Sequence, residues 1–128
     1  MALAHYNLKQ LFQTYSILVK VPLESLQDHP DQRQLVPTAV KRLTAAFLET
    51  GIDRINNPGL GLLTSDSWLI ERSDAGLELH STGPCVFVLS GKHRLAALKE
   101  WIRQHPNQAA SQSFWYFKVL PPGTTSIV

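Results

Sequence analysis

Four consecutive residues, Gly91-Lys92-His93-Arg94, join one backbone-permissive residue to three side chains that carry positive charge or donate hydrogen bonds. They follow the apolar run Val86-Phe87-Val88-Leu89 and precede Arg94 to Gln104, where Leu95, Leu98 and Ile102 fall at helical spacing. A strand that ends in glycine and turns at once into a helix presents the amides of the helix N-terminus. Those amides, with the positive end of the helix dipole, favour an anion. Gly91 lets the backbone come close to such a ligand. The dipole repels basic side chains at this end, so three in succession suggest a negative ligand that offsets the repulsion. Arg94 can grip a phosphate with two prongs, and Lys92 acts as a mobile point charge. His93 would donate a hydrogen bond or shuttle a proton. The same residues also fit a solvated basic turn, and on spacing alone the two readings stand level.

The elements that must hold this turn are legible on either side of it. Leu8, Leu11, Phe12 and Tyr15 carry helical spacing and predict an N-terminal helix over 1–14, ahead of a core at 15–120. Ser16 to Val21 is rich in β-branched residues and reads as a strand closed by Pro22. Leu23 to Leu26 fits one helical turn, and Gln27 to Gln34 reads as a polar, proline-broken loop. A helix opens at Pro37, buries Val40, Leu43, Phe47 and Leu48, and stops at Gly51. Asn56-Asn57-Pro58-Gly59 is a turn, and Leu60 to Thr64 a strand in which Gly61 allows close backbone approach. Trp68 to Arg72 and Gly76 to His80 form a hairpin, and the segment from Ser65 to Gly83 that holds it could shape a substrate pocket but reads as an inserted surface hairpin. Cys85 to Leu89 is the most apolar strand. A helix follows to Gln104, then a loop over 107–113, a last strand over 114–120 and a tail over 121–128. This order predicts one α+β domain over 1–128, a small mixed β-sheet flanked by helices.

Composition removes several function classes. The 128 residues are 44% hydrophobic and 17% charged, ordinary for a globular domain. Twelve basic against ten acidic residues leave no strong field for DNA or an anionic membrane. No apolar run approaches the roughly 20 residues of a membrane helix, and no signal peptide is read at the N-terminus. A cytoplasmic or nuclear location is the expectation. The single cysteine, Cys85, excludes an intrachain disulfide and reads as a core residue. Glu24, Asp28, His29 and Asp31 could share a metal, but they read as solvated and no metal site is expected. The aromatic run Phe114-Trp115-Tyr116-Phe117 could stack on bases, yet strand alternation makes packing the expectation.

The stretch Val88-Leu89-Ser90-Gly91-Lys92-His93-Arg94-Leu95-Ala96-Ala97-Leu98 resembles the signature of the ParB/sulfiredoxin superfamily, a strand, Gly-x-His-Arg, then a helix. Val19 to Leu26 resembles that family's opening strand. Pro30-Asp31-Gln32-Arg33 resembles its Pro-x-Gln-Arg-like loop, and Thr38 to Thr50 its next helix. The resemblance runs over about residues 17 to 120. It implies a compact mixed fold whose turn cradles nucleotide phosphates, in proteins that hydrolyse CTP, use ATP or ADP as phosphoryl donor, or cut nucleic acid. Carried over, Ser90, Gly91, Lys92, His93 and Arg94 would hold phosphate, and Gln32 and Arg33 would lie near the nucleotide. Glu24 falls near an acidic catalytic residue of the serine-kinase branch, and His93 is the second candidate catalytic group. ATP or CTP with Mg2+ is the implied ligand.

Two departures narrow this. Sulfiredoxins carry a cysteine where Lys92 stands, so sulfinic-acid repair is not expected. The chain leaves no room for the helix-turn-helix and dimerisation regions of partition proteins. The expected function is a nucleotide hydrolase or phosphotransferase. The alternatives are a non-catalytic DNA- or protein-binding module using the same basic turn, or a ParB-like nuclease. Nucleic acid is therefore a further candidate partner.

Overall fold

The computed structural model describes residues 17–29, 34–64, 69–73, 76–80 and 83–120. The expected N-terminal helix, the Pro30–Arg33 loop and the tail lie outside them. Seven strands form one mixed sheet: β1 (Ile17–Pro22), β2 (Leu26–Asp28), β3 (Gly59–Leu63), β4 (Leu69–Ser73), β5 (Gly76–His80), β6 (Val86–Ser90) and β7 (Phe114–Leu120). The helices are α1 (Pro37–Thr50), α2 (Lys92–Gln104) and the short α3 (Ala109–Gln112), with 3-10 turns at Leu23–Ser25 and Pro106–Gln108. This is the expected mixed sheet with flanking helices. No helix of the described residues is long and apolar enough to cross a membrane.

The strand order is β2-β6-β3-β7-β1-β5-β4. β1 runs antiparallel to β7 and parallel to β5, β3 runs parallel to β7 and antiparallel to β6, and β2 runs parallel to β6. β1 and β2 stand four strand spacings apart, about 19 Å in a flat sheet. Yet only Leu23–Ser25 separates them in the chain. The four steps from Pro22 to Leu26 span at most about 14 Å. The sheet must therefore curl, so that one bent ribbon, β1 then β2, meets β7 on one side and β6 on the other.

Alternation along each strand sorts the faces. Val19, Val21, Leu63, Leu79, Val86, Val88, Trp115, Phe117 and Val119 are buried together with Leu95, Ala97 and Leu98 of α2 and Phe47 of α1. Leu18, Lys20, Leu60, Leu62, Phe87, Leu89, Tyr116 and Lys118 alternate onto the other face and are half-buried or exposed. Glycines at 59 and 61 let the buried face close tightly. A Cβ on Gly59 would lie 2.5 Å from Phe117 Cε2 and 2.9 Å from the Ser90 carbonyl oxygen, and one on Gly61 would lie 2.6 Å from Val86 Cγ1.

Several expectations change. The hairpin β4–β5 is no surface insertion: β5 pairs with β1, and Leu79 is 2% exposed in the core. Burying one such leucine contributes about 1.5–3 kcal/mol, enough to tie the hairpin to the sheet. Leu48 is 51% exposed, and Thr44 is buried in its stead. At 100° per residue Leu48 lies about 110° from the centre of the stripe set by Val40, Leu43 and Phe47. The loop over 27–34 starts as strand β2, because β6 supplies a parallel ladder that no local pattern announces. The loop over 107–113 contains α3, held by Ser113 Oγ donating to the Ala109 carbonyl. Cys85 is buried just before β6, donating its N–H to Ser25 and accepting from Thr64.

Gly59→Ala should destabilise the fold by about 3 kcal/mol, since backbone and a core ring both crowd the added carbon. A lowered urea midpoint with an unchanged slope would show it. On the solvent face of α2, the Arg103 guanidinium and then the Gln104 amide hold the Glu100 carboxyl well down, at about 2. A depressed carboxyl stabilises above its unfolded range and loses that contribution as pH falls through its folded value. NMR titration should place the Glu100 midpoint near about 2, and Arg103→Ala should return it towards the ordinary range.

Candidate anion-binding site

Gly91 adopts φ +102°, ψ 7°, the left-handed region that glycine enters without strain. It serves as N-cap of α2, with no side-chain cap hydrogen bond. The first helical hydrogen bond runs from Leu95 N–H to the Gly91 carbonyl. The amides of residues 92–94 therefore precede the helical ladder and point along the open end of the helix. No acidic residue occupies this first turn. Lys92, His93 and Arg94 are half-buried and Ser90 is exposed. Immediately before the turn the β3–β6 register shifts: Leu60 faces Ser90 but Gly61 faces Val88. Leu89 is thus an extra residue in β6, a bulge that re-aims the strand end into the turn.

His93 has a specific partner. Its Nε2 accepts a hydrogen bond from the Val36 backbone N–H at 3.0 Å. A nitrogen that accepts carries no proton, so this ring is neutral with its hydrogen on Nδ1. Val36 is the N-cap residue of α1, and its apolar side chain caps nothing. The imidazole thereby fastens the start of α1 to the start of α2. The other end of the β2–α1 connection is also tied to this unit, because His29 meets Phe87 of β6 edge-to-face at 5.4 Å. His93 is first an anchor. Any hydrogen bond it gives a ligand comes from Nδ1.

Beneath the turn lies Gly59. A Cβ on Gly91 would lie 3.3 Å from the Gly59 Cα, so the two backbones pack directly. The segment before Gly59 is fixed by polar contacts. Asp53 accepts from the Asn56 backbone and side chain, and these hydrogen bonds hold its carboxyl below the usual range. Trp115 Nε1 donates to the Asn57 carbonyl at 2.9 Å. Arg54 donates to the carbonyls of Gln112 and Phe114, and burial holds its guanidinium below its ordinary value. The sequence marked 56–59 only as a turn. Nothing in it announced that Gly59 is the floor of the site, or that Val36 reaches His93.

The other candidate residues are placed differently. Gln32 and Arg33, with Asp31, lie outside the described residues. Glu24 is exposed in the 3-10 turn after β1. Its neighbour Ser25 accepts from the Cys85 N–H, at the start of β6. Gly91 follows the far end of that strand, about 20 Å from Cys85 at a strand's rise per residue. The structure does not bring Glu24 to the turn. Among the described residues no three His, Cys, Asp or Glu side chains gather to hold a metal ion. Comparison of the chain with protein-family models, curated proteins and solved structures gives no match.

Gly91→Ala should cost about 1–3 kcal/mol, because alanine strains at this φ. His93→Ala should lower stability by about 1 kcal/mol by removing the acceptor. Its distinctive sign is faster hydrogen exchange at the Val36 amide. Unchanged exchange there would remove the anchoring role.

Proposed function

We propose that the protein binds a nucleotide through its phosphates at the Gly91–Arg94 turn, and that it works as a nucleotide hydrolase or phosphotransferase. One observation carries the reading: a left-handed glycine opens α2, and the first turn holds Lys92, His93 and Arg94 and no acidic residue. Helix amides and cationic side chains on one turn are what a phosphate group needs. The resemblance of Val88–Leu98 and its flanking segments to the ParB/sulfiredoxin signature supports the same ligand. Lys92 in the place of a cysteine favours phosphate chemistry over thiol chemistry.

In this reading the amides after Gly91 hold phosphate oxygens, Arg94 grips two of them, and Lys92 neutralises the remaining charge. Phosphoryl transfer is chiefly positioning and charge stabilisation, so these groups supply its main demands. Magnesium, where used, would arrive on the phosphates themselves. His93 fixes the geometry through Val36 and offers Nδ1–H. Glu24, at the other end of β6, has no part in the turn.

A thermal-shift series with ATP, ADP, CTP and GTP plus magnesium tests the reading. Binding to the folded state should raise the melting temperature with ligand concentration. Arg94→Ala should weaken the affinity about 10- to 100-fold, the worth of a charge-assisted two-pronged contact. No shift with any of the four nucleotides would sink the idea. Equal phosphate release by wild type and Arg94→Ala would remove the catalytic part alone.

A further inference from the structure

β7 presents two different aromatic pairs. Trp115 and Phe117 are buried, whereas Phe114 and Tyr116 alternate onto the outward face of the sheet and stay half-exposed. Their rings meet edge-to-face at 5.9 Å. Cations surround them. Lys20 Nζ lies 4.2 Å from the Phe114 ring centroid, and the Arg54 guanidinium carbon lies 4.1 Å from it. Lys118, two residues along β7, is exposed on the same face. The sheet register sets Tyr116, Lys20 and Glu78 side by side across β7, β1 and β5. Glu78 lies 3.9 Å from Lys20 Nζ, and the register continues the row to Glu71 on β4. Arg54 has no carboxylate partner among the described residues. Its guanidinium is held by carbonyls, the Gln112 side chain and aromatic rings.

We propose that this outward face of β7 and β1 binds a single-stranded nucleic acid, with Tyr116 as the stacking ring, Phe114 holding Lys20 and Arg54 beside it, and Lys20, Arg54 and Lys118 as phosphate contacts. The charge pattern selects the occupant. Three cations lie on the β7–β1 side of the row and two acidic residues, Glu78 and Glu71, on its β5–β4 side, so the positive side complements a polyanion, and the half-exposed Tyr116 ring offers a face to an unpaired base. A duplex hides its base faces and would gain only the phosphate contacts. The face is separate from the Gly91 turn, which lies where β6 enters α2, so strand binding and nucleotide binding can fail independently.

The test is fluorescence anisotropy of a labelled oligothymidylate of about 12 nucleotides, titrated with the full chain. Affinity should fall with a log–log salt slope of about −2, as expected for three neutralised phosphates on a single strand. A duplex of the same length should compete poorly. Lys118→Glu, at an exposed position, and Tyr116→Leu, which keeps apolar bulk, should each weaken binding about tenfold. Arg94→Ala should leave it unchanged. Absent or salt-insensitive binding would overturn the proposal, and so would wild-type affinity in both face variants. Loss of strand binding in Arg94→Ala alone would move the contact to the turn and overturn it as well. Concentration-dependent dimerisation abolished by Lys118→Glu, with no strand binding, would assign the face to a second copy of the chain.

Discussion

The contact between two backbones without side chains, Gly59 and Gly91, sets the geometry of everything around it. Gly59 lets the Phe117 ring lie across the start of β3 and lets the Ser90 carbonyl come close. Gly91 then rests on the Gly59 Cα while turning left-handed into α2. A methyl group on Gly59 would collide with the Phe117 ring and the Ser90 carbonyl, and one on Gly91 would press on the Gly59 Cα at 3.3 Å. The candidate anion site thus depends less on its charged residues than on close packing under them. The charged side chains project from a platform whose height is set by missing carbons.

The polar contacts around this platform share a purpose. Trp115 to Asn57, Arg54 to Gln112 and to Phe114 at the start of β7, and the Asp53–Asn56 turn all fix the entry into β3. On the far side, His93 to Val36 fixes the entry into α1. Two chain entries are therefore pinned beside the turn by hydrogen bonds, and the apolar core pins its base. A site held from several directions loses less ordering entropy when a ligand arrives.

Much of this was legible in the sequence because it is local. Proline at 37 and glycine at 51 bound α1, the run at 86–89 announced β6, and Gly91 with its basic neighbours announced the turn. What the sequence hid was long-range. The three residues of β2 become a strand only because β6 offers partners, and no alternation over three residues can advertise that. The hairpin at 69–80 looked detachable because its attachment is to β1, some sixty residues away. His93 looked like a free acid–base group because its partner, a backbone amide at 36, has no side-chain signature. Glu24 was a candidate catalytic group only through the family resemblance, and the 3-10 turn delivers it to the start of β6.

The position of β7 in the strand order bears on how the chain is made. β7 is the last strand of the described residues in sequence, yet it stands between β3 and β1 at the middle of the sheet. Before it forms, β2, β6 and β3 make one fragment and β1, β5 and β4 another, each with an unpaired edge. On a ribosome, the nascent chain must hold both half-sheets apart until residues 114–120 leave the exit tunnel. β7 then joins them, so two unpaired sheet edges persist until the last of the described strands is made.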